Sequence, residues 1–476
     1  MSAPEARLRV AVAGGGWAGC AAAVELARQG CQVTLFEAAR SLGGRARGVE
    51  VRGLALDNGQ HILLGAYRES LRLMQRVGVD EKAAFLRLPV QMRYPGNPES
   101  GGGMDFVAPR LPAPLHLALA LLRAKGLARA DKLALARFNS AGRWMGWQLD
   151  NDCTVAELLD RFDQTDRLVR LLWRPLCIAA LNTLPERASA NVFLAVLRDS
   201  LGARQRAASD MLLPRLPMGA LFPEPAGAWL EGQGWGHTVR LGVKVAALAR
   251  DGDDWLVQTG AEAPPERFDA VVLATPAPVS AALLASLPDS AELAGQLNAL
   301  THEPIATCYL QYAPGTRLDL PFYALLDDPA ANRWGQFVFD RAQLDPVQDG
   351  LLAVVVSAAG DAANLPREQL AAAIASQLAQ DFGRPELAAP AWTQLITEKR
   401  ATFSCTTGLV RPSNTTPLPG LVLAGDYTAG DYPATLETAV RSGQAAATAI
   451  RAYGALPREK RSLSHAHGGL SGDSVR

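Results

Sequence analysis

The sequence has few cysteines and no surplus charge of either sign. Its six cysteines are scattered through 476 residues without a Cys-x-x-Cys pair. This argues against a disulfide framework and a zinc site, so we expect no metal and a reducing, cytoplasmic location. Lys and Arg together number 47, and so do Asp and Glu. A general electrostatic attraction to nucleic acid is therefore not expected.

Long apolar runs are also missing. The early run over residues 8–13 meets glycines too soon for a signal peptide, and no uninterrupted run is long enough to span a bilayer. Hydrophobic residues nevertheless make up 49% of the chain and charged residues 20%. This composition predicts a globular protein of two or three domains.

A glycine motif, Gly14-x-Gly16-x-x-Gly19, directly follows the first apolar run. Gly14 permits a tight turn, Gly16 lets a pyrophosphate approach the backbone, and Gly19 lets a helix pack closely on a strand. The motif alone is weak, because glycine-rich turns are common.

The flanking sequence strengthens the motif. An Ala-rich helix over residues 18–29 would offer its N-terminus to phosphates. A second strand over residues 32–36 ends at Glu37, which is placed to accept hydrogen bonds from an adenosine ribose. The alternative is an ordinary strand–helix turn with an exposed Glu, but strand, helix and acid together favour a dinucleotide-binding βαβ unit.

Two further segments of the first hundred residues point to the same ligand. Gly43 and Gly44 allow close backbone approach, and Arg45 could neutralise a phosphate; the alternative is a surface turn with a solvated Arg. The segment Asp57-Asn-Gly-Gln-His61 places a glycine between small polar residues, which suits a chain passing a flat ring system. His61 is either a general acid–base group or a structural histidine.

Residues 110–147 are basic, rich in Leu, and closed by Trp144 and Trp147, with Asp131 as the only acid. Such a segment suits a helix lying on an anionic membrane surface. The alternative is a pair of helices that face the core and carry a solvated basic side.

A last block near the C-terminus reads as a strand over residues 421–424, then Gly425-Asp426, then a helix from about Ala434. Together with the glycine motifs, this order resembles the flavin-dependent amine oxidase and phytoene desaturase superfamily. The strings DNGQHILLGAY (57–67) and AGDYTAGDYPATLETAV (424–440) are similar, more narrowly, to the hydroxysqualene dehydroxylase family of hopanoid biosynthesis.

The resemblance implies an α/β fold with a discontinuous, Rossmann-like FAD-binding domain (7–95, 215–290 and 400–455). It also implies a substrate domain of helices and mixed sheet (96–214 and 291–399), and we expect a disordered tail over 456–476. One bound FAD is implied. We expect its contacts at Gly14, Gly16, Trp17, Ala18, Gly19, Glu37, Gly43, Gly44, Arg45, Asn58, Gly59, Gln60, Gly425, Asp426, Thr435 and Leu436.

The implied reaction is reductive. A hydride from reduced flavin N5 replaces the allylic hydroxyl of hydroxysqualene, giving squalene and water. An acid should protonate the leaving hydroxyl, and the candidates are His61, Tyr427, Asp431 and Tyr432. The alternatives are that Asp431 caps the following helix and that Tyr427 only packs on the ring.

Other readings stay open. They are a desaturase of a carotenoid precursor, an amine oxidase, and a carrier that holds an isoprenoid without turnover. The implied partners are a C30 isoprenoid, an electron donor that the sequence does not identify, and a membrane contacted through 110–147. This would place the protein at the cytoplasmic face of the inner membrane.

Overall fold

The structure is a computed structural model that describes residues 7–96, 102–260 and 263–456. The expected disordered tail over 456–476 lies outside the described residues except for its first position. Within the described ranges, no helix combines the length and the apolarity needed to cross a membrane.

Twenty strands lie along the described chain. They are β1 (Arg9–Ala13), β2 (Gln32–Glu37), β3 (Gly48–Val51), β4 (Leu54–Asp57), β5 (Leu63–Leu64), β6 (Phe85–Leu88), β7 (Gln91–Arg93), β8 (Asp105–Val107), β9 (Met211–Pro214), β10 (Thr238–Leu241), β11 (Ala247–Asp251), β12 (Asp254–Gln258), β13 (Glu266–Phe268), β14 (Ala270–Leu273), β15 (His302–Gln311), β16 (Phe322–Ala324), β17 (Phe337–Asp340), β18 (Leu351–Val356), β19 (Trp392–Phe403) and β20 (Leu421–Leu423).

The α-helices of the same ranges are α1 (Trp17–Arg28), α2 (Arg68–Arg76), α3 (Glu81–Ala84), α4 (Leu115–Arg123), α5 (Arg129–Trp144), α6 (Val155–Arg161), α7 (Asp166–Leu168), α8 (Arg174–Leu181), α9 (Ala190–Ser200), α10 (Met218–Leu221), α11 (Pro223–Gly232), α12 (Ala277–Leu284), α13 (Ala291–Asn298), α14 (Arg367–Phe382) and α15 (Leu436–Gly454). A π-helical turn, Val169–Trp173, joins α7 to α8.

A parallel sheet with the order β10-β2-β1-β14-β20 brings the two ends of the chain together. Its central strands β1 and β14 are almost wholly buried, as expected for strands covered on both faces. The predicted α/β class with a Rossmann-like sheet is confirmed.

Helices α1 and α15 pack against each other beside this sheet, and a glycine makes the contact possible. A Cβ on Gly443 would lie only 2.2 Å from the carbonyl oxygen of Ala18 and 2.9 Å from the amide nitrogen of Ala22. The small residues of α1 therefore let a helix from the end of the chain cross directly over the first glycine motif.

An antiparallel sheet with the order β16-β17-β18-β15-β19 forms the second large layer. One face packs on α14 through side chains such as Leu352 and Val354. The other face carries Tyr309, Phe337 and Phe339, and these pack against Leu171 of the π-helical turn. This second apolar face points toward the nucleotide-binding half of the chain.

Backbone pairing conflicts with two of the predicted domain boundaries. β19 pairs with β15 along its whole length, from His302↔Phe403 to Gln311↔Trp392, so the boundary at 399/400 falls inside a strand. β9, placed by prediction in the substrate domain, pairs with β5 and β6 of the first segment. Backbone pairing thus ties the two predicted domains together, and their division stays a prediction.

Candidate functional site

The loop after β1 has the shape that its glycines predict. Gly14 has a φ of 109°, and a Cβ there would lie 2.5 Å from the carbonyl oxygen of Ala274. A Cβ on Gly19 would lie 1.8 Å from the carbonyl oxygen of Gly14. Both positions therefore exclude side chains, because strand, turn and helix approach too closely.

Gly16 differs, because a Cβ there would enter open space. Its closest neighbour within 4 Å would be Gly44 Cα, at 3.9 Å. The amide of Gly43 donates to the carbonyl oxygen of Gly15 (2.8 Å), so the two glycine loops lie side by side. A space free of side chains remains between them.

The N-terminus of α1 opens at this space. No side chain of the described residues caps the helix, so the N–H groups of its first turn, including those of Trp17 and Ala18, lack a side-chain acceptor. A gap without side chains beside free N–H groups and the positive end of a helix dipole fits a pyrophosphate. The residues present here fit the nucleotide predicted from the sequence.

Glu37 holds the same loop from the side. Its Oε2 accepts from the amide of Gly15 (2.7 Å) and its Oε1 accepts from the amide of Ala39 (2.7 Å). Each carboxylate oxygen can accept a second hydrogen bond. Glu37 can therefore fix the loop and still accept ribose hydroxyls.

Arg45 and Asp426, which come from opposite ends of the chain, form an ion pair. Arg45 Nη2 lies 2.5 Å from Asp426 Oδ1, and Nη1 donates to the carbonyl oxygen of Ala401 (2.8 Å). In this structure Arg45 thus neutralises a carboxylate, whereas the sequence suggested a phosphate. Its role in cofactor binding stays a prediction.

The segment after β4 lies against these loops and against the apolar face of the antiparallel sheet. The backbone amide of Asn58 donates to the carbonyl oxygen of Arg47 (2.9 Å), and its side-chain Nδ2 donates to the carbonyl oxygen of Arg45 (3.2 Å). The amide of Gln60 donates to Thr307 Oγ1 on β15 (3.4 Å). A Cβ on Gly59 would meet nothing closer than 3.7 Å, so space remains beside it.

The ring of His61 is held by this same segment. Its Nδ1 lies 2.7 Å from the carbonyl oxygen of Gly59. Because a carbonyl oxygen can only accept, Nδ1 carries the proton and Nε2 is the atom that gains or gives one. Burial lowers the pKa of the imidazole below its usual range.

The C-terminal block is also arranged by hydrogen bonds. The amide of Gly425 donates to Ser442 Oγ (2.9 Å), which fixes the turn after β20 against α15. Thr435 caps α15, accepting from the amide of Thr438 (3.1 Å), and the helix begins at Leu436. The alternative that Asp431 caps this helix is therefore wrong.

The three other candidate acids have separate environments. Tyr427 is buried, its hydroxyl lies 3.2 Å from Ser280 Oγ, and burial raises its pKa. The Asp431 side chain is 71% exposed and lies 3.6 Å from Arg198 Nη2. Tyr432 has a buried hydroxyl with no hydrogen-bond partner among the described residues. Of the four candidates, His61 belongs to the segment that adjoins both the glycine loops and the apolar sheet face.

Two buried charged residues were not among the predicted site residues. Asp57 accepts from the amide of Met218 (2.8 Å), and burial raises the pKa of its carboxyl to about 6. Arg341, 3% exposed, donates from Nη1 to Gln60 Oε1 (3.0 Å). Nothing local marks Arg341, because it lies 281 positions after Gln60 and only the fold brings them together.

In the described ranges, no group of three or more His, Cys, Asp or Glu side chains is arranged so that it could hold a metal ion.

Comparison with known proteins defines the class. Residues 17–451 match the family described as flavin containing amine oxidoreductase. The chain belongs to this family and is an FAD-dependent oxidoreductase, so the predicted cofactor is confirmed.

Its relatives narrow the class further. A hydroxysqualene dehydroxylase of Rhodopseudomonas palustris is 32% identical over 94% of this chain and 99% of that protein, which confirms the predicted resemblance. A zeta-carotene desaturase of Synechocystis sp. is 26% identical over 94% of this chain and 97% of that protein. The structure of cyclohexylamine oxidase from Brevibacterium oxydans matches with a TM-score of 0.65 at 18% identity, covering 94% of this chain and 99% of that one, and so shares the fold.

Proposed function

We propose that this protein removes the hydroxyl of hydroxysqualene reductively, giving squalene for hopanoid and isoprenoid biosynthesis. The observation that carries the proposal is a juxtaposition. An almost wholly apolar surface meets the nucleotide-binding loops at one short polar segment, residues 58–61. A C30 hydrocarbon with a single hydroxyl has the matching distribution of polarity.

Partly exposed apolar side chains extend this surface beyond its buried cluster, and they include Ile62, Phe106, Leu127, Leu172 and Ile305. Burying hydrocarbon is worth about 0.8 kcal/mol per CH₂. Binding of the substrate therefore draws on many weak apolar contacts, and the polar segment supplies orientation.

FAD, when bound and reduced, supplies the hydride. The chain must hold the allylic carbon in place, exclude water, and deliver a proton to the departing oxygen. In the balance, the C–O bond breaks, a C–H bond forms, the leaving oxygen takes a proton to become water, and FAD is oxidised.

We assign the proton to His61. Its Nδ1 is bonded to the Gly59 carbonyl, so Nε2 is free to carry the proton that is given. The Asp431 side chain is exposed and lies beside Arg198, and the Tyr427 hydroxyl is engaged with Ser280. These contacts favour His61 over Asp431 and Tyr427, and His61 is chosen over Tyr432 because it lies in the segment that adjoins both the glycine loops and the apolar sheet face.

A desaturase activity is the second candidate, because the Synechocystis relative carries that name. Product analysis separates the two. Protein with dithionite-reduced flavin should convert hydroxysqualene to squalene, and protein with oxidised flavin should leave a carotenoid precursor unchanged. A new conjugated double bond in the precursor, without any squalene from the alcohol, would reverse the assignment.

We also propose that helices α4 and α5 contact an anionic membrane. Leu122, Leu133 and Trp144 are exposed, and Trp144 is 91% exposed. The exposed basic residues around them are Arg110, Arg123, Lys125, Arg129, Arg137 and Arg143. Asp131 is buried and bonded to Thr165, so it gives this surface little negative charge. Apolar side chains within a basic field suit acyl chains below anionic headgroups.

The membrane contact is tested by co-sedimentation with vesicles. We expect binding to vesicles that contain phosphatidylglycerol and weak binding to pure phosphatidylcholine. Replacing Leu122 and Trp144 by Ser should weaken the binding, whereas Leu241→Ser, an exposed Leu on β10, should not. Equal losses in both variants, or no sedimentation with anionic vesicles, would reject this surface.

A further inference from the structure

A chain of hydrogen bonds fixes the side chain of Gln60. Gln348 Nε2 donates to the carbonyl oxygen of Ala55 (3.0 Å), and Gln348 Oε1 accepts from Arg341 Nε (2.8 Å). Arg341 Nη1 then donates to Gln60 Oε1 (3.0 Å). Gln348 and Arg341 are both buried, and the charge of Arg341 also acts on the nearby carboxyl of Asp57, whose pKa it lowers. The hydrogen bonds of the guanidinium to the two side-chain amides hold both amides in place.

The direction of these hydrogen bonds decides whether the oxygen or the nitrogen of the Gln60 side-chain amide faces Arg341. A guanidinium can only donate, so the oxygen of Gln60 must face Arg341 and the NH₂ group must point away from it. That nitrogen is buried and has no acceptor among the described residues. An unpaired buried donor costs about 1–3 kcal/mol, so the arrangement calls for an acceptor brought by a ligand.

The surroundings of Gln60 restrict the ligand. Ile62 and Ile305 of the apolar surface lie near, and the amide of Gln60 itself bonds to Thr307 beside Ile305. A neutral oxygen acceptor on an otherwise apolar molecule fits this setting. Two sources offer such an oxygen, the substrate hydroxyl and a carbonyl of the flavin ring.

We propose that Gln60 Nε2 donates to the hydroxyl oxygen of the substrate and that Arg341 positions the amide for this contact. The inference rests on the proposed function and adds to it the group that distinguishes the alcohol from the hydrocarbon product. A donor at this oxygen also assists its departure, alongside the proton that His61 gives.

The test compares two ligands on oxidised holoenzyme. Dissociation constants for hydroxysqualene and squalene are measured from changes in the flavin spectrum. Wild-type protein should bind the alcohol more tightly, and Gln60→Leu should reduce this preference about 5- to 100-fold while squalene binding changes little. Arg341→Met should also reduce the preference, because the amide can then rotate. Gln75→Leu, an exposed Gln on α2, is the matched control and should retain it.

The outcomes separate this inference from the proposed function. If wild-type protein makes no squalene from hydroxysqualene, the proposed function is wrong, and the inference that rests on it is wrong as well. If it makes squalene but Gln60→Leu keeps the full preference for the alcohol, the inference is wrong. A weaker FAD affinity or a shifted flavin potential in Gln60→Leu, with the preference intact, would assign the donor to the flavin carbonyl and overturn our choice of acceptor.

Discussion

Gly16→Ala should separate cofactor binding from folding. The added methyl would project into the space between the two glycine loops, where only Gly44 Cα lies within 4 Å, at 3.9 Å. The protein itself has room for this carbon, but a pyrophosphate seated there does not. The variant is therefore expected to fold and to lose FAD.

The two effects can be given magnitudes. Losing two charge-assisted bonds from backbone N–H groups to phosphate removes about 3–6 kcal/mol, or about 10²- to 10⁴-fold in affinity. On the folding side, Ala at this N-cap costs about 0.5–1 kcal/mol, and the reduced freedom of the unfolded chain returns a similar amount. The stability of the apoprotein should therefore change by less than about 1 kcal/mol.

Thermal unfolding with and without FAD measures both quantities. At an FAD concentration of about 100 Kd, wild-type protein gains about 2.7 kcal/mol from the ligand, whereas a variant with 100-fold weaker affinity gains about 0.4 kcal/mol. Gly19→Ala is the contrasting variant, because its Cβ would lie 1.8 Å from Gly14 O. It should destabilise the apoprotein itself. FAD affinity within about threefold of wild type in Gly16→Ala would refute the placement of the pyrophosphate.

Three further predictions follow from single residues. Gly443→Ala should cost about 1–3 kcal/mol of unfolding free energy in urea, because its Cβ would meet Ala18 O at 2.2 Å; Gly295→Ala on α13 has nothing within 4 Å and should not destabilise. Asp57→Asn should raise the free energy of unfolding by up to about 3 kcal/mol at pH 8, because burial raises the pKa of the Asp57 carboxyl from 3.8 to about 6. This gain should vanish near pH 4, and a gain that stays constant between pH 4 and pH 8 would contradict the assigned cause. Burial lowers the pKa of His61, so kcat/KM should rise as pH falls toward and below 6.5. His61→Gln should slow turnover about 10²- to 10⁴-fold and flatten the dependence of kcat/KM on pH. An unchanged pH dependence in the variant would exclude His61 as the proton donor.

The nucleotide-binding half was predictable because its determinants are local. Gly14, Gly19 and Glu37 lie within one βαβ unit, and their spacing alone specifies a turn, a close packing and an acceptor. The strand and helix near the C-terminus were also predicted from the sequence, and α15 begins at Leu436, two residues after the predicted start.

The polar segment beside the apolar surface was only partly predictable. Gln60 was predicted as a site residue from its short motif. The orientation of its side-chain amide, however, depends on Arg341 and Gln348, which lie between β17 and β18 of the antiparallel sheet. The pairing of Arg45 with Asp426 likewise joins residues 381 positions apart. Local sequence patterns cannot specify such contacts, because these contacts depend on how the sheets pack together in the folded protein.

Single turnover tests the central claim most directly. The holoenzyme is reduced by dithionite, freed of excess reductant, and mixed anaerobically with hydroxysqualene while flavin absorbance and lipid products are followed. We expect oxidised flavin to return one-for-one with squalene. Flavin that stays reduced, or that reoxidises without squalene being formed, would contradict it.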